Sequence, residues 1–409
     1  MSLHALHALR NRLLTAGRTL FDLAFEQFAR HTRVLFVMCD DYGFACQSPV
    51  IRQLLQYPDM MVRITTDKPR DPQNIEIANA ADRALFHDLY IPPLRARFTK
   101  WHMVVDTHMN GFYPAFNALR IYMHHGSGYG NTGNKKAIAE RYEIFCGLSE
   151  MERDWLNKLY PGLFGQLRAF FPVGFPKSDA LYQKSFDREE VLSKLNLPNR
   201  TTILITSHWQ KQGILRCLSD GPLRELAQAF PDYNIVQTGH PWLWQSNHNI
   251  PEVWRKDLLD HFEELKKLYS HVRFVETSNV ETLLSVADLL VGDSSSVMTT
   301  YSLLDRPIVF FDNLEYQFTT PELKQIYINA SHPFSRMEDL VCATREALSN
   351  PEIKAEGRAQ MRSAFYAHEG KSAVYMAELI RDIGHVSSVF SPGWNKVVEL
   401  ANNQGALKN

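Results

Sequence analysis

Three stretches of the chain combine imidazole, hydroxyl and glycine in ways that suit phosphate chemistry. The first is Val291-Gly292-Asp293-Ser294-Ser295-Ser296, where an apolar run enters a small polar turn and then a helix-like segment. One serine suffices to cap a helix, because its hydroxyl satisfies an orphan N–H of the first turn. Three serines, the exposed N–H groups and the positive helix end together suit a diphosphate. Thr299, Thr300 and Tyr301 extend the polar face by one turn. The expectation is that Asp293, Ser294, Ser295, Ser296 and Thr299 line a phosphate site; a capped helix with surplus serines explains the same letters without a ligand.

The second stretch is His125-Gly126-Ser127-Gly128-Tyr129-Gly130-Asn131. Its glycines permit tight turns and close approach of a substrate. An imidazole at the mouth of such a loop suits a general base acting on a hydroxyl, so His125 is the candidate base and Gly126, Ser127 and Gly128 the candidate acceptor loop. His124 is the competitor, and strand alternation points it the other way. The third stretch is Thr238-Gly239-His240-Pro241. Pro241 holds His240 in extended backbone, and its imidazole suits neutralising phosphate charge or protonating a leaving group. Ser207-His208-Trp209 adds another imidazole and an aromatic ring suited to stacking on a base. For each histidine the alternative is a structural residue beside a turn, which a chain with 16 histidines makes common. Metal binding lacks the His-x-x-x-His or Cys-x-x-Cys spacing that ligands require. The acids Asp40, Asp41 and Asp106 stand at strand ends, which such folds often show. No metal and no separate cofactor is expected.

These residues need strands to carry them. Arg33–Cys39, Met103–Asp106 and Ile121–His124 read as buried strands in the first half. Thr202–Thr206, Tyr233–Gln237, Val272–Val275, Asp288–Gly292 and Pro307–Asp312 do so in the second. Helices are expected from Ser48-Pro49 to Leu55, over Leu223–Phe230 and Val280–Val286, and from Ser294. Strands alternating with helices imply parallel sheets with right-handed crossovers. The fold class is α/β, with two Rossmann-like domains facing a cleft. Every motif above falls at a strand's carboxyl end, where such sheets bind ligands. The expected organisation is an amphipathic N-terminal helix over 1–32, an acceptor domain over 33–197, a donor domain over 198–375 and a helical segment over 376–409, which could cross back onto the first domain.

The 409 residues, 45% hydrophobic and 22% charged, suffice for two large cores. A net charge of −1 removes bulk attraction to nucleic acid. Five scattered cysteines fit reduced thiols in the cytoplasm. No apolar run spans a bilayer, and no signal peptide opens the chain. Leu3, Leu6, Leu9, Leu13, Leu20, Leu23 and Phe28 recur at helical spacing, with Arg10, Arg12, Arg18 and Arg30 among them. Such a helix suits peripheral contact of residues 1–30 with the inner face of a membrane, or packing on its own domain or on a partner; Asp22 and Glu26 weaken the basic face.

Taken in order, the motifs resemble the CDP-glycerol glycerophosphotransferase family, the teichoic-acid and capsule polymerases. The likeness rests on His125-Gly126, Gly174-Phe175-Pro176-Lys177-Ser178-Asp179, His240-Pro241, Asp293-Ser294-Ser295 and Arg306-Pro307 through Asp312. It covers residues 34 to 380. It implies a GT-B architecture without an obligate metal. It also implies attack of an acceptor hydroxyl on the glycerol-bearing phosphate of CDP-glycerol, releasing CMP. By position, His125 is the base, His240 assists at the diphosphate, and Ser294, Ser295 and Ser296 hold phosphate oxygens; Lys177, Gly239 and His208 join the donor site, and Asp106 the acceptor side. The chain departs from the pattern in three places. Ser127-Gly128-Tyr129-Gly130 stands where Thr-Pro-Leu-Lys is usual. Lys177 replaces an arginine and loses its bidentate fork. Ser207-His208-Trp209-Gln210 replaces Pro-Thr-Trp/Phe-Arg. Expected partners are a nucleotide-activated donor and a glycan or lipid-linked acceptor. The departures leave open a GT-B glycosyltransferase using a nucleotide sugar, a UDP-sugar epimerase, or an inactive scaffold.

Overall fold

The structure, a computed structural model, describes residues 21, 22, 24–68, 77, 80–107, 112–126, 135–244, 249–277 and 279–404. It contains two all-parallel six-stranded sheets, each in its own compact unit.

In unit 1 the strands are β1 (Thr32–Met38), β2 (Met60–Thr66), β3 (Met103–Asp106), β4 (Leu119–Met123), β5 (Ile144–Gly147) and β6 (Ala169–Pro172). Their order is β2-β1-β3-β4-β5-β6. Val34 to Val37 of β1 are fully buried, as expected for a strand covered on both faces by helices. The expected strands at β1, β3 and β4 are present. β2, β5 and β6 were not legible: β2 is an edge strand interrupted by Arg63, and the other two are four residues each. The helix expected to open at Ser48-Pro49 begins instead at Asp41 and runs to Leu54, with Pro49 in its interior. The reason is local: Asp40 Oδ1 accepts the Gly43 N–H at 2.7 Å and caps the helix seven residues before the expected start.

In unit 2 the strands are β7 (Thr202–Ile205), β8 (Asn234–Gln237), β9 (Val272–Phe274), β10 (Leu289–Gly292), β11 (Ile308–Phe311) and β12 (His332–Phe334). Their order is β12-β11-β10-β7-β8-β9. Only β12 was missed, a three-residue edge strand containing Pro333. The chain lays β7, β8 and β9 outward in one direction, then returns to the other side of β7 with β10. The crevice between the carboxyl ends of β7 and β10 is therefore the topological switch point, where such sheets bind ligands. Beneath it lies a core of Ile203, Ile205, Leu226, Ile235, Phe262, Leu289 and Val291, all buried.

The units divide at Lys177/Ser178, where the sequence placed the boundary at 197/198. Helices Ser372–Ile383 and Trp394–Gln404 belong to unit 1, so the chain does return to its first unit after completing the second. Residues 1–20 of the expected N-terminal helix lie outside the described residues. The described part, 21, 22 and 24–28, is helical and packs within unit 1. Asp22 pairs with Lys100 and accepts from Asn117 Nδ2 at 2.7 Å. Glu26 accepts from the N–H of Ser387 at 2.8 Å and from the hydroxyls of Ser387 and Ser391 at 2.7 and 2.6 Å. The two acids that weaken a basic helix face are thus engaged by their own unit. Among the described residues no helix is long and apolar enough to cross a membrane.

Candidate functional site

Three loops leave adjacent strand ends in unit 2: 206–213 after β7, 238–244 after β8 and 293–295 after β10. Backbone bonds continue the sheet into them. Thr206 N–H donates to Val291 O, Thr238 N–H to Ile205 O and His240 N–H to Ser207 O, each at 2.9 Å.

Asp293 is almost completely buried. Its carboxylate accepts the His208 N–H at 2.9 Å and the Ile214 N–H at 3.0 Å, so it ties together both ends of the β7 loop. Burial pushes its pKa up; the nearby His208 and the N–H donors oppose this. Asp293 therefore anchors the β7 loop. Its oxygens already serve backbone donors, and a carboxylate facing a diphosphate would repel it. Ser207 completes the loop by accepting the Leu215 N–H at 3.1 Å. Gly213 closes it, since a Cβ there would stand 2.3 Å from His208 O. Gly239 has a similar role: a Cβ would meet Leu243 Cδ1 at 2.7 Å and Ser207 O at 3.1 Å. Its place in the donor site is to let two loops approach.

His208 and His240 come together with ring centroids 5.8 Å apart. Trp209 lies 5.6 Å from His208, and Trp242 lies 5.7 Å from His240 and 4.8 Å from Trp209. Burial lowers the pKa of both imidazoles: that of His240 falls to about 4, with His208 as a second cause, and Asp293 partly offsets the fall at His208. Both rings are neutral at neutral pH. Trp242, 42% exposed, is the part of this aromatic group that the sequence reading missed. Its only signal is position, two residues after His240.

Helix Ser296–Tyr301 starts later than expected, with Ser295 at its N-cap. Ser294 and Ser296 are half-buried. Ser295 is buried, and its hydroxyl has no hydrogen-bond partner among the described residues. An orphaned buried hydroxyl is a costly feature in a finished core. Thr299, Thr300 and Tyr301 form the turn that follows. All three are buried. The hydroxyls of Thr299 and Thr300 donate to Ser296 O at 2.8 and 3.0 Å, and Tyr301 OH donates to Ala287 O at 2.9 Å.

In unit 1, His125 follows β4 and is exposed, with half-buried Gly126 next to it. Its Nδ1 lies 2.7 Å from Thr107 O. A carbonyl only accepts, so Nδ1 carries the proton and the basic lone pair of the neutral ring is on Nε2. His124 is buried, with Nε2 at 3.0 Å from Glu152 Oε2. Asp106 is buried and accepts from Tyr142 OH. The ammonium of buried Lys177 lies 4.8 Å from the Tyr42 ring centroid, within unit 1. Ser127 and Gly128 lie outside the described residues. Among the described residues no group of three or more His, Cys, Asp or Glu is placed to hold a metal ion.

The architecture is shared with solved structures. The Wall Teichoic Acid Polymerase TagF matches with a TM-score of 0.58 at 17% identity, over 92% of this chain and 96% of that one. A variant of it soaked with CDPG matches with a TM-score of 0.58 at 16% identity, over 92% and 95%. A structure described as a putative UDP-N-acetylglucosamine 2-epimerase from Listeria monocytogenes matches with a TM-score of 0.57 at 12% identity, over 86% and 96%. At these identities the likeness establishes a fold, the GT-B-like pair of α/β units. No curated protein matches the chain. The family model described as CDP-Glycerol:Poly(glycerophosphate) glycerophosphotransferase matches residues 21–380. The chain therefore belongs to the CDP-glycerol:poly(glycerophosphate) glycerophosphotransferase family of enzymes.

Proposed function

We propose that the protein transfers glycerol phosphate, or a related polyol phosphate, from a CDP-activated donor to a hydroxyl of a cell-surface glycan or lipid-linked precursor. The acceptor hydroxyl gives its proton to His125 Nε2. Its oxygen bonds the phosphorus that bears the glycerol, and the bridging P–O bond breaks with its electron pair leaving on CMP. The observation that carries this reading is the tautomer of His125: donation from Nδ1–H to Thr107 O puts the basic lone pair on Nε2. On the donor side, His240 and the N–H and hydroxyl groups around Ser294, Ser295 and Ser296 hold the diphosphate, as preorganised donors in a partly desolvated site.

The test is release of CMP when the pure protein meets CDP-glycerol or CDP-ribitol and candidate acceptors. His125→Ala is expected to lower turnover by about 10²–10⁴, the usual worth of a general base. Undiminished turnover in that variant would remove His125 from the role. Conversion of a UDP-sugar with no acceptor present would replace the proposal with an epimerase.

A further inference from the structure

The loops after β7 and β8 contain the same local device. Gln210 N–H donates to His208 Nδ1 at 3.2 Å, and Trp242 N–H donates to His240 Nδ1 at 3.1 Å. Each imidazole folds back to accept from the residue two positions on, as an asparagine side chain does in an Asx-turn. A ring nitrogen that accepts a hydrogen bond carries no proton, so the proton of each neutral ring is on Nε2. Adjacent parallel strands thus present two imidazoles of the same tautomer, 5.8 Å apart, at the mouth of the switch point.

We infer that His208 and His240 act as a matched pair of neutral Nε2–H donors to the donor's diphosphate, which binds without proton uptake. This rests on the reading of unit 2 as the donor-binding unit. The chemistry that argues against a cation is geometric. A second proton would have to enter at Nδ1, where each ring already meets a backbone N–H, and protonation would break that bond and set two donors against each other. The surrounding charges act the same way. Each imidazole faces the other, so charging one opposes charging its neighbour, and Trp209 and Trp242 flank them with neutral rings. Asp293 is the carboxylate on the His208 side, and it is engaged by the His208 and Ile214 N–H groups. Burial lowers the basicity of both rings. His208 is therefore an equal partner of His240 in binding. His240 is a hydrogen-bond donor to the departing phosphate and is not its acid. Gln210, standing where the family pattern has arginine, fits a loop that binds phosphate through dipoles instead of a fixed cation.

Calorimetric titration of the full-length protein with CDP-glycerol, without acceptor, tests this. A diesterified diphosphate does not itself titrate between about pH 6 and 8, so any pH dependence reports the protein. Across that range Kd is expected to stay within about twofold, with heats that do not depend on buffer ionisation. A Kd rising about tenfold per pH unit, with buffer-dependent heats, would mean that one proton is taken up and would overturn the inference. His208→Gln and His240→Gln, which keep a neutral N–H donor, are expected to retain more affinity than the alanine variants; equal losses would overturn the pairing. Long-range ¹⁵N–¹H spectra of the unliganded protein should show both rings as Nε2–H tautomers, a readout that does not need the variants to fold. If CDP-glycerol fails to bind but UDP-glucose binds without proton uptake, the proposed donor falls and the inference stands. If neither binds, both fall.

Discussion

Asp293 shows how far a residue's chemistry depends on its partners. In the sequence it stands beside three serines and reads as part of a phosphate site. In the fold its carboxylate holds the N–H of His208, 85 residues earlier in the chain. Asp293→Ala would strand two buried N–H groups, at about 1–3 kcal/mol each. Urea unfolding should therefore show a loss of several kcal/mol, and nucleotide binding should weaken as the His208 loop loosens. A variant of wild-type stability would contradict the assigned role. A second residue-scale prediction concerns pH. His102 is fully buried, accepts the Arg33 N–H on Nδ1 at 2.8 Å and stacks on His385. Burial, then His385, Lys100 and Arg33, depress its pKa from the ordinary 6.5 to about 3. Between these values the unfolded chain binds the proton and the folded one does not. The contribution is therefore complete above pH 6.5 and is lost as pH falls toward 3, at up to about 1.4 kcal/mol per pH unit. His102→Phe should flatten that part of the stability profile; an unchanged acid limb would assign it to other groups.

At the scale of elements, the site is made by strand ends that the sheet brings side by side. β7, β8 and β10 are far apart in sequence and adjacent in the sheet. Gly213 and Gly239 then let their loops approach to distances that a Cβ would forbid. The described N-terminal segment illustrates the same logic in unit 1. Lys100, nearly buried, pairs with Asp22 and also donates to Asn117 O and Ser387 Oγ. Removing one partner of a buried pair leaves an uncompensated charge, at about 3–5 kcal/mol. Asp22→Ala should therefore lower the unfolding temperature sharply, whereas Arg336→Ala, at an exposed ion pair, should change it little. Equal, small effects would show that residues 21–28 are only loosely held.

For the whole molecule, the notable feature is that unit 1 is not finished until the end of the chain. Helix Ser372–Ile383 packs on helix Asp41–Leu54, and helix Trp394–Gln404 packs on β6, with Trp394 Nε1 donating to Gln166 O at 2.6 Å. Ending the chain at Gly370 should raise hydrogen exchange throughout β1–β6 while the strands of unit 2 keep their protection. Uniform loss in both units would show that they fold as one.

Eight of the twelve strands among the described residues were legible from sequence, for a physical reason: a parallel strand buried on both faces must be a short apolar run, and such runs stand out. The same reasoning set His125, His208, His240 and the serine turn at strand ends, because polar and glycine-rich residues must follow where the sheet ends. Edge strands such as β2 and β12 lack that signal, since one side needs no neighbour and tolerates Arg63 or Pro333. What only the tertiary structure decided is which polar group meets which. Asp293 holds backbone N–H groups of another loop, the hydroxyls of Thr299 and Thr300 donate to Ser296 O, and His125 and His240 acquired opposite tautomers from the backbone groups beside them. For Asp293, as for Thr107 O beside His125, the partner comes from another loop, and proximity of that kind is created by the fold rather than by the order of residues.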